Sequence, residues 1–120
     1  MKICISSTGK NLSSIVDTRF GRCAYFLIVD SDKVKELKII KNTGVQAQHG
    51  AGITASQIVV DQKVDVVISG NFGPKASLVL SQVGVKCYIV PSSMSIKEAL
   101  KSLNQGELQE LLKPSAPHYS

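Results

Sequence analysis

Residues 64–68 (VDVVI) form an almost unbroken apolar run of strand length, and this run restricts the folds open to the chain more than any other segment. A strand with one wet face alternates apolar and polar residues. A run without that alternation marks a strand buried on both faces, the habit of parallel sheets covered by helices. The run is broken by Ser69-Gly70-Asn71-Phe72-Gly73. Pro74 follows at a place suited to the first residue of a helix, where its missing N–H costs nothing.

The flanking pattern completes a sheet. Residues 2–6 read as a first strand ending in Ser7-Thr8-Gly9, and residues 25–30 and 34–41 as a second and third strand. The short connection Ser31-Asp32 makes the latter two an antiparallel hairpin. Residues 53–62 suit a helix packed on a sheet, 64–68 a fourth strand, 74–83 a helix and 85–90 a fifth strand stopped by Pro91. Ser95 with Glu98 is a capping-box signature opening a helix through Leu103. Residues 107–113 suggest a last helical turn or two, and 114–120 a frayed tail that includes His118. The expected fold is therefore α/β, with helices on both faces of a mixed five-stranded sheet. Hairpins place strand 2 antiparallel between strands 1 and 3, and right-handed crossovers put strands 4 and 5 beyond strand 1, giving the order 3-2-1-4-5. Residues 1–105 form one domain and 106–120 a C-terminal extension.

In such a sheet, ligands sit at the carboxyl rim where strand order reverses, here between strands 1 and 4. Gly9, Gly21, Gly44, Gly50, Gly52, Gly70 and Gly73 all map to loops at that rim. Glycines let backbone N–H groups approach a guest closely, and helix starts near Ile53 and Pro74 add positive dipole ends. The irregular segment 17–23 (DTRFGRC) joins the same rim. Arg19 and Arg22 offer planar multi-donor cations to an anion. Cys23, flanked by Arg22, is a candidate thiolate metal ligand, and His49 a candidate imidazole ligand. Asn71 and Lys75 could donate at the second helix start. Cys4 and Cys87 lie inside strands and read as core residues.

Charge and cysteine usage narrow the function classes. The 120 residues carry 14 Lys+Arg against 9 Asp+Glu, a formal charge of +5 that permits an anionic partner without demanding nucleic acid. The lysines are dispersed, and aromatics at 5% supply no stacking platform for single strands. Three widely spaced cysteines make neither a disulfide framework nor a zinc pattern. No run reaches membrane-span length, and the expected location is cytoplasmic. A metal-dependent nuclease needs clustered carboxylates, which the first strand (KICIS) does not offer. A phosphate- or nucleotide-binding regulatory module would lack both the lysine-bearing phosphate loop and the dinucleotide fingerprint. A partner-binding domain using the rim as an interface is a further alternative.

Segments 17–23 followed by YFLIV at 25–29, HGAGI at 49–53, and VDVVISGNFG at 64–73 with Pro74, taken in this order and spacing, resemble the dinitrogenase iron–molybdenum cofactor biosynthesis proteins of the NifX and NafY type. The resemblance covers roughly residues 1–105. It implies a ribonuclease H-like, three-layer α/β/α fold. It also implies binding or carrying of an iron–sulfur or molybdenum-containing cluster rather than turnover, with metallocluster donor and acceptor proteins as partners. The cofactor-binding candidates are then Arg19, Arg22, Cys23, His49, Gly50, Gly52, Gly70, Asn71, Gly73 and Lys75. Such a cluster is anionic and sulfur-rich. With no set of four cysteines to fix a permanent iron–sulfur centre, the composition suits transient holding.

Overall fold

The structure, a computed structural model, describes residues 1–31, 33–44, 50–91 and 93–111. Its elements are β1 (Lys2–Ser7), β2 (Tyr25–Asp30), β3 (Lys33–Lys41), α1 (Ala51–Asp61), β4 (Val66–Ser69), α2 (Pro74–Gln82), β5 (Lys86–Ile89), α3 (Ile96–Asn104) and β6 (Gln109–Leu111). They form one six-stranded sheet in the order β3-β2-β1-β4-β5-β6. Strand β2 is antiparallel to both neighbours, β4 and β5 run parallel to β1, and β6 returns antiparallel to β5.

The expected order 3-2-1-4-5 and the antiparallel second strand hold. The sixth strand was not expected. Residues 109–111 pair with β5 where the sequence suggested helical turns. Gly106 at φ 73° ends α3, and the outer edge of β5 then offers a row of backbone groups that the returning chain satisfies. Leu108, Glu110 and Leu111 fit either periodicity, so edge pairing decides the conformation.

Alternation along the strands builds two cores. On the face covered by α1 and α2, Cys4, Phe26, Ile28 and Val67 pack with Ala55, Val59, Ala76 and Leu80. On the face covered by α3, Ile3, Ile5, Leu27, Val66 and Ile68 pack with Ile96 and Ala99. Strand β4 is buried at all four positions, as its unbroken apolar run requires. It starts at Val66 rather than Val64 because Asp65 turns its carboxylate to the N–H of Lys2, at 2.8 Å. The predicted capping box on α3 is complete: Ser95 Oγ accepts from the Glu98 N–H at 3.1 Å, and the Glu98 carboxylate accepts from the Ser95 N–H at 3.0 Å. The long connection between β1 and β2 is anchored rather than loose. It makes isolated bridges from Val16 to Ser7 and from Ile15 to Ser95, and it buries Val16 and Phe20.

Candidate functional site

The segment from Asp17 to Cys23 crosses the carboxyl ends of β1 and β4, where the strand order reverses. Two buried serines hold it there. Ser6 Oγ donates to the Asp17 carbonyl at 3.1 Å, and Ser69 Oγ reaches the same oxygen at 3.3 Å. The Gly70 N–H donates to that carbonyl as well, at 3.2 Å, and the Phe20 N–H donates to the Asn71 carbonyl at 3.0 Å. Gly70 is required by crowding rather than by dihedral angle: a Cβ there would lie 2.6 Å from Thr18 Cα. Phe20 then seats its ring between Phe26 and Phe72, with centroids 5.4 and 5.3 Å away.

Gly21 brings the loop backbone against the first turn of α1, since a Cβ on Gly21 would stand 2.9 Å from Gly52 N. Gly52 in turn faces Ala76 of α2, its would-be Cβ 3.5 Å from the alanine methyl. Small residues at these contacts draw the amino-terminal ends of α1 and α2 together beside the loop. Between them lies an open groove of about 350 Å³ lined by Gly21, Arg22, Gly52, Phe72, Gly73 and Lys75, with Ala51, Pro74 and Ala76.

The electrostatics of this groove follow from its helix ends. The N–H groups of a helix's first turn have no intrahelical partner and carry a partial positive charge. On α3 they are satisfied: the Ile96 and Lys97 N–H groups donate to the Ser14 and Leu12 carbonyls, and the Glu98 N–H to Ser95 Oγ. On α1 and α2 the N-cap residues are Gly50 and Gly73, both at φ 74°, with no side-chain cap and no acidic residue in the first turn. Pro74 removes one donor from α2; the remaining N–H groups of both turns, with Arg22 and Lys75, are suited to an anion.

Of the candidates named from sequence, the structure gathers Arg22, Gly52, Gly73 and Lys75 on the groove, with Gly50 capping the helix that forms one wall. Arg19 stands outside the lining, 68% exposed, with Nε 3.7 Å from the Asp17 carboxylate. Asn71 is a framework residue, taking the Phe20 N–H on its carbonyl and the Gly73 N–H on its side chain at 3.4 Å. Gly70 lies beneath Thr18. His49 falls outside the described residues.

Cys23 requires a correction. Its neighbour Arg22 suggested a stabilised thiolate, yet the side chain is fully buried. Burial, and secondarily the Asp17 carboxylate, pushes the thiol up to about 12, against smaller lowering contributions from hydrogen bonds of the Ser7 backbone and the Asn42 amide. Desolvation dominates, so Cys23 stays protonated at neutral pH, and it is not among the residues lining the groove. Cys4 and Cys87 are core residues as expected; burial raises Cys4 well above the ordinary thiol range and Cys87 to about 12. Among the described residues no three His, Cys, Asp or Glu side chains converge to hold a metal ion.

Asn42 escaped the sequence reading. Fully buried just after β3, it donates from Nδ2 to the carbonyls of Gly21 at 3.1 Å and Cys23 at 2.9 Å, and accepts the Gly44 N–H at 3.0 Å. It clamps the loop that carries Arg22. The Asn-Thr-Gly turn signal marks it as a turn residue, but nothing local shows that its amide reaches 21 residues back along the chain.

Comparison with known proteins agrees with this architecture. An uncharacterized protein of Methanocaldococcus jannaschii is 34% identical over 112 residues, covering 92% of this chain and 91% of that protein. The apo form of the orange protein from Desulfovibrio gigas superposes with a TM-score of 0.90 at 28% identity, over 96% of each chain. A candidate NifB protein from Thermotoga, solved by NMR, superposes with a TM-score of 0.82 at 32% identity over 98% of each. No helix among the described residues is long and apolar enough to cross a membrane. The family model described as dinitrogenase iron-molybdenum cofactor matches residues 1–106, and the chain belongs to that family.

Proposed function

We propose that the groove between Arg22, Lys75 and the two helix ends seats an anionic iron–sulfur or molybdenum-containing cluster, or a precursor of one. The protein holds this cargo between a donor and an acceptor protein and does not turn it over. One observation carries the reading: α1 and α2 leave their first turns without side-chain caps or acids, and both open beside a guanidinium and an ammonium. These donors can grip sulfido or oxo ligands but supply neither nucleophile nor base. Each helix end contributes about 0.3–1 kcal/mol toward an anion, up to about 2 when partly buried. Charge-assisted hydrogen bonds contribute about 1.5–3 kcal/mol each. Binding built this way is moderate, as a carrier that must release its cargo requires.

Anaerobic reconstitution with iron, sulfide and tetrathiomolybdate, followed by desalting, absorption spectra and metal analysis, tests the proposal. Cluster absorbance should survive desalting in the native protein and fall in Arg22→Glu and Lys75→Glu. If no absorbance survives while nucleotides raise the melting temperature, the phosphate-binding alternative replaces it. Retention of cluster in both charge reversals would move the site elsewhere.

A further inference from the structure

The opposite rim of the sheet carries a second and larger cavity, of about 500 Å³. We propose that it binds a small amphipathic anion: an alkyl or aryl chain bearing one carboxylate or sulfonate. The cavity arises from the way α3 meets the sheet. The helix presents an apolar stripe at Ile96, Ala99, Leu100 and Leu103, the spacing of one helical face. Ile96 and Ala99 are fully buried, whereas Leu100 and Leu103 are only half-buried. Beneath this second half the amino ends of β1 and β4 and the end of β2 supply a floor of the buried side chains Ile3, Val29 and Val66. The face carries one helix where the other face carries two, so no second helix fills the space.

The mouth is cationic. Lys86, the first residue of β5, and Lys101, in the last turn of α3, both line it. Neither ammonium has a carboxylate within ion-pairing distance among the described residues. Two of the described acids at this rim are already engaged. Asp30 faces the N-terminal amine at 3.6 Å, and Asp65 accepts the Lys2 N–H. The carbonyls of Lys101, Ser102 and Leu103 at the end of α3 accept from the N–H groups of Gln105, Glu107 and Gly106. Glu110, opposite Tyr88 on β6, is not among the lining residues. An apolar floor with two cations at the lip, unpaired among the described residues, selects a tail and a single negative head. The volume lies in the range of small-ligand sites. A second copy of the chain is the poorer occupant, because a two-fold contact would set this cationic patch against itself.

Titration with decanoate, followed by heteronuclear NMR of the full chain, tests the site, with decyltrimethylammonium as the control of opposite charge. Decanoate should saturate at one equivalent and shift amides at the starts of β1, β4 and β5 and along residues 100–104. Lys86→Glu combined with Lys101→Glu, both exposed and expected to fold, should weaken decanoate by about tenfold or more. Arg22→Glu, at the other rim, should leave it unchanged, which separates this site from the proposed cargo groove. Equal binding of the cationic amphiphile, absence of saturation, shifts confined to the other rim, or a decanoate-insensitive dimer through this face would each overturn the proposal.

Discussion

Gly70→Ala isolates the contact that pins the Asp17–Cys23 segment across the switch point. The added Cβ would sit 2.6 Å from Thr18 Cα, 3.2 Å from its Cβ and 3.3 Å from its carbonyl carbon. Carbon atoms at rest keep about 3.5–4.0 Å, so the two backbones must separate by about 1 Å. Neither can move freely. The Asp17 carbonyl is held by Ser6, Ser69 and the Gly70 N–H, and Phe20 is tied to Asn71. Overpacking costs about 1–3 kcal/mol, and losing one buried hydrogen bond adds about 1–3 kcal/mol, so a total of about 2–6 kcal/mol is expected. For a domain of this length that corresponds to a melting temperature lower by about 8–24 °C. Gly52→Ala is the matched control, since its Cβ meets the Ala76 methyl and backbone nitrogen at an ordinary 3.5 and 3.9 Å. It should melt within about 2 °C of the native protein, because surface-like changes without a clash stay near ±0.5 kcal/mol. Circular dichroism melts of the three proteins decide the matter. If Gly70→Ala melts with the native protein, the segment is not clamped by this contact and the argument for a rigid groove wall fails.

Alkaline pH should destabilise the fold. A thiol raised to about 12 in the native state is protonated there while the unfolded chain ionises near pH 8.5–9, so stability is intact below that range and falls as pH rises through it. Cys23 alone should remove up to about 1.4 kcal/mol per pH unit between pH 9 and 12, measured by urea melts, and Cys23→Ser should flatten the slope. Ser95→Ala should cost about 1 kcal/mol through the lost cap. Glu98, held below the usual carboxylate range by the cap hydrogen bonds, adds stability that is present above about pH 4.3 and lost as pH falls further; Glu98→Gln should shift the acid limb of the stability curve. Asn42→Ala should cost about 2–3 kcal/mol, because two loop carbonyls lose their buried donor, and should weaken cluster retention along with it; unchanged retention would mean that Arg22 does not depend on the clamp.

How far the sequence carries depends on whether the deciding physics is local. The unbroken run before Ser69, the antiparallel β2–β3 hairpin and the Ser95–Glu98 cap are local, and each reads correctly. Strand β6 does not, since its three residues are fixed by the vacant edge of β5 rather than by their own pattern. The glycine count points to a rim but not to the atoms that each glycine meets. Gly70 and Gly21 are set by atoms of Thr18 and Gly52 that lie far away in the chain. Cys23 shows the sharpest failure: a neighbouring arginine is visible in sequence, whereas complete burial is a property of packing. Arg19 stands outside the groove lining, with the Asp17 carboxylate two residues away at 3.7 Å.

The N–H groups of α1 and α2 belong to the main chain, so a site made from them cannot be erased by exchanging one side chain for another. It is lost only when something bulky fills the space or a carboxylate arrives to occupy the helix ends. Sequence drift at such a site is therefore constrained by what must be kept out rather than by what must be kept in. In the proposed site, discrimination between guests would then fall to the few side chains that line the space, Arg22 and Lys75 foremost.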